Sequence, residues 1–167
     1  AGKDSTADII CEHLESLGKS YVRKAYGDYL KEIAKEYCNW NGDKNVQGRA
    51  ILQNLGTDIV REKLCMNDLW VNHVVNELLI AQELGYEYGI ITDCRFYNEI
   101  HIPQTKFKDN TTLKIERIGL KSNLTQEQLQ HKSETELANF VPDIHIRAME
   151  GLSNLKTVVM ANMEEIL

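Results

Sequence analysis

A repeated change of hydrophobic period constrains this chain more than any other feature. Segments with apolar residues three and four apart alternate with short β-rich runs, and that alternation belongs to layered α/β proteins. Residues 5–17 place Ile9, Ile10, Leu14 and Leu17 on one side and stop at Gly18, which predicts a helix. Residues 21–26 form a strand candidate. A second helix is predicted over about 28–37, with Leu30, Ile33, Ala34 and Tyr37 inward. A third, over about 46–63, has a bend expected at Gly56. A fourth starts at the N-cap Asp68 and runs to Gly85, with Leu69, Trp70, His73, Val74, Leu78 and Ala81 near its inner stripe.

The period then changes. The run YEYGIIT over 86–92, bounded by Gly85 and Asp93, reads as a buried strand. LKIERI over 113–118 alternates and reads as another. Residues 119–132 are polar, and Ser133-Glu134-Thr135-Glu136 is a capping-box start for a short helix to about Asn139. Residues 143–147 are a final strand candidate and 152–167 a closing amphipathic helix. Strands separated by helices predict a mainly parallel sheet flanked by helices, in one domain over residues 1–167.

Composition narrows the function classes. The 167 residues carry 19 Lys+Arg against 25 Asp+Glu, a formal net charge of −6, whereas a protein that coats nucleic acid needs a basic excess. A small anionic ligand requires only a few cations gathered locally. No apolar run approaches a membrane span, and the first residues lack the design of a signal peptide, so a cytoplasmic location is expected. Cys11, Cys38, Cys65 and Cys94 form no C-x-x-C, which argues for reduced thiols over zinc or disulfides.

Four segments carry chemistry. Ala1-Gly2-Lys3-Asp4-Ser5-Thr6 leads straight into a helix and looks like the second half of a phosphate-binding loop, G-x-x-x-x-G-K-[ST]. Such a loop needs Gly where backbone N–H groups approach phosphate, Lys for the β/γ-phosphates and a hydroxyl for Mg²⁺. Asp4 stands where Ser/Thr is usual, and Ser5 is the nearest hydroxyl. Thr92-Asp93-Cys94-Arg95-Phe96-Tyr97-Asn98-Glu99 follows the buried strand at the end where ligands of open α/β sheets bind. Asp93 there suits Mg²⁺, and Arg95 can fork onto phosphate oxygens. Arg49, Gln53 and Arg61 share a polar helix face, with Arg61 the phosphate clamp. His131 and Glu134 sit at a helix start after a polar stretch containing Lys121 and preceded by Arg117, an arrangement suited to a lid. Each segment also has a purely structural reading, as a helix cap, a strand-end turn or a solvated face.

Together, GKDSTAD, GRAILQNLGTDIVR, Trp70-Val71, TDCRFYNE and HKSETEL resemble, in order and over nearly the whole chain, the phage and bacterial deoxynucleoside monophosphate kinases. Cys94-Arg95-Phe96-Tyr97 departs from the family's usual apolar residue, Arg, Phe and Pro. The resemblance implies a three-layer P-loop kinase fold with a small lid over about 119–133, and with the first strand and first half of the loop upstream of Ala1. It implies transfer of phosphate from ATP, with Mg²⁺, to a deoxynucleoside 5′-monophosphate, no nucleic-acid or membrane partner, and a homodimer. ATP would be held by Gly2, Lys3, Asp4, Ser5 and Thr6, and Mg²⁺ by Ser5 and Asp93. The acceptor would meet Lys31, Arg49, Gln53, Arg61, Asp93, Arg95, His131 and Glu134, with Lys3, Arg61, Arg95 and Arg117 acting on the transferring group. Two other readings share these residues: another small-molecule P-loop kinase (a dephospho-coenzyme A kinase or an adenylate kinase-like enzyme), and a non-catalytic nucleotide-binding module.

Overall fold

Helix α1 (Lys3–Ser16) buries Ile9, Ile10 and Leu14, the apolar stripe expected of it, in a computed structural model that describes residues 2–119 and 124–167. The chain continues through β1 (Tyr21–Lys24), α2 (Gly27–Tyr37) and α3 (Val46–Gln53). A wide π-helical stretch over Asn54–Lys63 prolongs α3, so the bend expected at Gly56 is a change of helical pitch. A Cβ at Gly56 would stand 2.7 Å from Leu30 Cδ2, so a larger residue there would make the Leu30 side chain shift. Then follow α4 (Leu69–Glu83), β2 (Tyr88–Ile91), α5 (Tyr97–Lys106), β3 (Leu113–Arg117), α6 (Gln126–Gln130) and α7 (Lys132–Thr135). The last elements are β4 (Ile144–Ala148), α8 (Leu152–Ala161) and α9 (Met163–Ile166).

The strands pair in parallel, as the strand–helix alternation demands. Tyr21 faces Tyr88 and Lys24 faces Ile91 in one pair; Leu113 faces Ile144 and Arg117 faces Ala148 in the other. The expected three-layer P-loop kinase fold with an extended parallel sheet is not formed. Among the described residues the strands make two separate two-stranded sheets, β1–β2 and β3–β4. The physical reason is that each crossover fixes only its own pair. Helices α2 to α4 bring β1 beside β2, helices α6 and α7 bring β3 beside β4, and no ladder joins β2 to β3.

Two apolar clusters hold these parts. In one, Ile9, Ile10 and Leu14 of α1 meet Ile144, Ile146 and Ala148 of β4 and Leu155 and Val159 of α8, with Tyr21, Tyr88, Ile90, Leu113 and Ile115 against them. Helix α1 therefore binds both sheets. In the other, Tyr26, Val60 and Trp70 pack with Val71, Val74, Val75 and Leu78 of α4. Full burial of such a Val or Leu contributes about 1.5–3 kcal/mol. The segment expected to be a lid is docked where it is described: Gln128 and Ser133 are buried, and Gln128 donates to the Val46 carbonyl. Lys121 lies outside the described residues. No helix among the described residues is long and apolar enough to cross a membrane.

Candidate functional site

The C-terminal end of β2 and the N-terminus of α1 open onto one cleft of about 320 Å³, lined by Lys3, Asp93, Cys94, Arg95, Lys114, Ser133, Glu134, Leu137 and Ala138. Four of the expected site residues, Lys3, Asp93, Arg95 and Glu134, thus come together from three parts of the chain. Lys3 is half exposed, 3.7 Å from Asp4. Its neighbour Gly2 has φ 96°, the left-handed backbone that favours glycine, and a Cβ there would stand 3.3 Å from Arg117 Cδ. The first backbone bond into the helix is from the Thr6 amide to the Gly2 carbonyl, so the helix start carries the partial positive charge that draws anions.

Asp93 is held by backbone. Its Oδ1 accepts from the Tyr26 amide at 2.7 Å and its Oδ2 from the Gly27 amide at 3.0 Å, which fastens the start of α2 to the end of β2. Each oxygen keeps lone pairs beyond those bonds. Arg95 donates to the Ser133 carbonyl at 3.3 Å and pairs with Glu134. Lys114 brings a third cation and donates to the Ala138 carbonyl. The strand alternation in LKIERI was the available signal for it.

A second cleft has a volume of about 520 Å³. It is lined by Arg23, Lys24, Asp28, Tyr29, Lys31 and His73 among others. A Cβ on Gly27 would lie 3.0 Å from Asp93 Oδ2 and 3.9 Å from Lys31 Nζ, so Lys31 and Asp93 flank the same glycine. Lys31 pairs with Asp28 at 2.7 Å, and Tyr29 stacks on His73 with ring centroids 4.4 Å apart.

The remaining expected residues lie elsewhere. Arg61 is not a phosphate clamp open to the cleft: it is 5% exposed, and its Nη2 donates to Glu99 Oε1 at 2.5 Å. Its Nη1 donates to the Asn67 carbonyl, and its guanidinium lies 4.0 Å from the Phe96 ring centroid. Arg49 donates to the Lys44 carbonyl, and Gln53 ends α3. His131 bonds Ser133 and Asp58, tying α6 and α7 to the π-helical stretch. Arg117 belongs to the α1 start and not to a lid, donating from Nη2 to the Gly151 carbonyl. Thr6 is buried, and its Oγ1 and Arg117 Nε have no hydrogen-bond partner among the described residues.

Glu99 is the residue that sequence reasoning passed over. It is 4% exposed and accepts from the Arg95 amide at 2.6 Å and the Phe96 amide at 3.1 Å as well as from Arg61. Burial pushes its carboxyl up to about 7, against the pull of those amides and of the guanidinium. The Tyr26 hydroxyl donates to the Glu99 carbonyl at 2.5 Å, and burial raises that phenol as well. A scan against models of known protein families finds no match to this chain, and a search of curated proteins finds none either.

Proposed function

We propose that this protein transfers the γ-phosphoryl group of ATP to a deoxynucleoside 5′-monophosphate, giving the diphosphate and ADP. One observation carries the reading: Lys3, Arg95 and Lys114 converge with Asp93 on a cleft beside a helix N-terminus, and Lys31, which lines a second cleft, flanks the same glycine as Asp93. Phosphoryl transfer needs little covalent chemistry from a protein; it needs positioned cations and a place for each substrate. In this reading Lys3 and the amides at the start of α1 bind the donor phosphates. Arg95 holds the transferring group, with Glu134 orienting its guanidinium. Lys31 receives the acceptor phosphate, with Tyr29 and His73 as neighbouring ring surfaces.

The donor set suits Mg²⁺, a hard cation that takes one or two carboxylates together with substrate phosphates. Asp93, which lines the cleft, would hold it together with substrate phosphates, and the lone pairs left on its oxygens support that fit. Bound there, the ion supplies neutralisation of charge on the phosphates. Arg61 takes no direct part in this scheme. An ADP-release assay across dGMP, dTMP, dCMP, dAMP and dephospho-coenzyme A tests it. Turnover with one of the deoxynucleotides, abolished by Lys3→Ala, is the expected result. Turnover with dephospho-coenzyme A alone, or with none of the five, overturns the proposal.

A further inference from the structure

We propose that Glu99 is a positioning residue that fixes Arg95 in the cleft, by binding the Arg95 and Phe96 amides on one side and the Arg61 guanidinium on the other. The inference deepens the reading above and rests on it for the part Arg95 plays in turnover. The geometry stands independently of that reading. One buried carboxylate gathers two backbone amides at 2.6 and 3.1 Å and one guanidinium nitrogen at 2.5 Å. Glu99 is the third residue of α5, so its bond to the Phe96 amide closes the helix start, one half of a capping box. Its bond to the Arg95 amide lies outside the helix and orients the residue whose side chain enters the cleft.

Arg61 completes the device. Its other guanidinium nitrogen reaches the Asn67 carbonyl and Asn98 Oδ1, so the carboxylate is anchored to the segment before α4 as well as to the π-helical stretch. The Arg95 backbone is therefore pinned from behind by a rigid buried pair, while its guanidinium meets Glu134 and the Ser133 carbonyl in front. A functional group on a strand-to-helix loop requires such support to hold its geometry.

Glu99→Gln tests the role, because it keeps size and one acceptor oxygen but removes the charge. Hydrogen exchange at the Arg95 and Phe96 amides is the primary readout and requires no activity. Exchange about tenfold faster at those two positions, with Val22 and Ile90 unchanged, is expected if local opening there becomes easier. In turnover, kcat is expected to fall about tenfold with the KM for ATP held, as when an interaction of the transferring group is lost. Should Glu99→Gln fail to fold, Arg61→Lys keeps the positive charge while losing the fork, and the same two amides are followed. Unchanged exchange at Arg95 and Phe96 overturns the positioning role whatever the activity. A wild-type protein that transfers no phosphate overturns the proposed function instead, and the exchange readout still decides the role of Glu99.

Discussion

Asp93 and Gly27 are joined by a 3.0 Å hydrogen bond from the glycine amide to the carboxylate, so the residue proposed to hold a cation also ties α2 to the end of β2. The two duties separate by substitution. Asn keeps an oxygen that accepts one amide, whereas Ala removes both acceptors and leaves the Tyr26 and Gly27 amides without them. Asp93→Ala is therefore expected to cost about 1–3 kcal/mol of stability, the usual penalty for orphaned donors. Asp93→Asn is expected to cost less, yet to lose phosphoryl transfer as fully as Asp93→Ala if the charge serves Mg²⁺. Urea titration and the ADP-release assay on both variants check this; an active Asp93→Asn would reduce Asp93 to a structural tie.

The Arg61–Glu99 pair leads to a stability prediction of the opposite kind. Removing one member of a buried ion pair leaves the other charge uncompensated, at about 3–5 kcal/mol. Arg61→Ala is expected to lose that much at pH 8. The loss is expected to be smaller at pH 5, where Glu99 takes up a proton and becomes neutral. Denaturation midpoints at the two pH values decide the matter, and an equal loss at both would mean that Glu99 does not titrate in the variant.

In the wild type, the Glu99 carboxyl is raised from its ordinary 4.5 to about 7, first by burial and then by Asp93, with the amides and Arg61 opposing. A folded pKa above the unfolded one means that the folded state binds the proton more tightly. The stability from this group is full below about 4.5 and is lost as pH rises through about 7. Measured against Glu99→Gln, which does not titrate there, the wild type is expected to have its greatest relative stability near pH 4.5 and to lose it by pH 8. Asp93 and Arg61 are common to both proteins, so their direct contributions largely cancel. A relative stability that grows with pH would show that the guanidinium outweighs burial.

The elements that bury one face were legible in the sequence. Helices α1, α2 and α4 and strands β1 to β4 fall where periodicity places them, within two or three residues. Helix α5 was not legible, because Pro103 lies inside it and Ile100 and Ile102 are too few to mark a stripe. Sheet membership was not legible either: periodicity says that a strand is half covered, not which strand stands beside it. Of the residues that line the cleft, Lys3, Asp93 and Arg95 stood out in the sequence because they follow a glycine or a strand end. Arg61 lies buried where its place on a polar helix face suggested exposure, for a physical reason. A guanidinium on a polar helix face looks the same in sequence whether solvent or a buried carboxylate receives it, and Glu99 is 38 positions away.

Lys3 offers a cleaner functional test, since its side chain is about half exposed and its one ion pair among the described residues is a 3.7 Å contact with Asp4. An exposed pair of that kind contributes about 0–1 kcal/mol. Lys3→Ala is expected to leave the circular dichroism spectrum and the urea midpoint nearly unchanged while abolishing turnover. Arg95→Lys is expected to lower kcat/KM by about tenfold, because an ammonium cannot reproduce the planar fork toward phosphate. Full activity in Lys3→Ala, in a protein that folds normally, would remove α1 from the donor site.

Gly48 gives a prediction in which even the sign is informative. Within a helix, Gly→Ala ordinarily stabilises by about 1 kcal/mol, and Gly48 lies in the interior of α3. A Cβ at this position, however, would stand 1.9 Å from the Asp43 carbonyl oxygen and 2.6 Å from Trp40 Nε1. Those two atoms are themselves bonded at 2.8 Å, and Trp40 is buried. Backbone oxygen cannot swing aside as a side chain can, so Gly48→Ala must push the Asp43 turn away and break the indole bond. The expected outcome is a loss of about 1–3 kcal/mol, the usual cost of overpacking, accompanied by a red shift of tryptophan emission as Trp40 is exposed. Urea denaturation followed by fluorescence measures both effects at once. A raised midpoint would mean that α3 does not approach the Trp40 loop this closely, and that helix propensity alone governs the site.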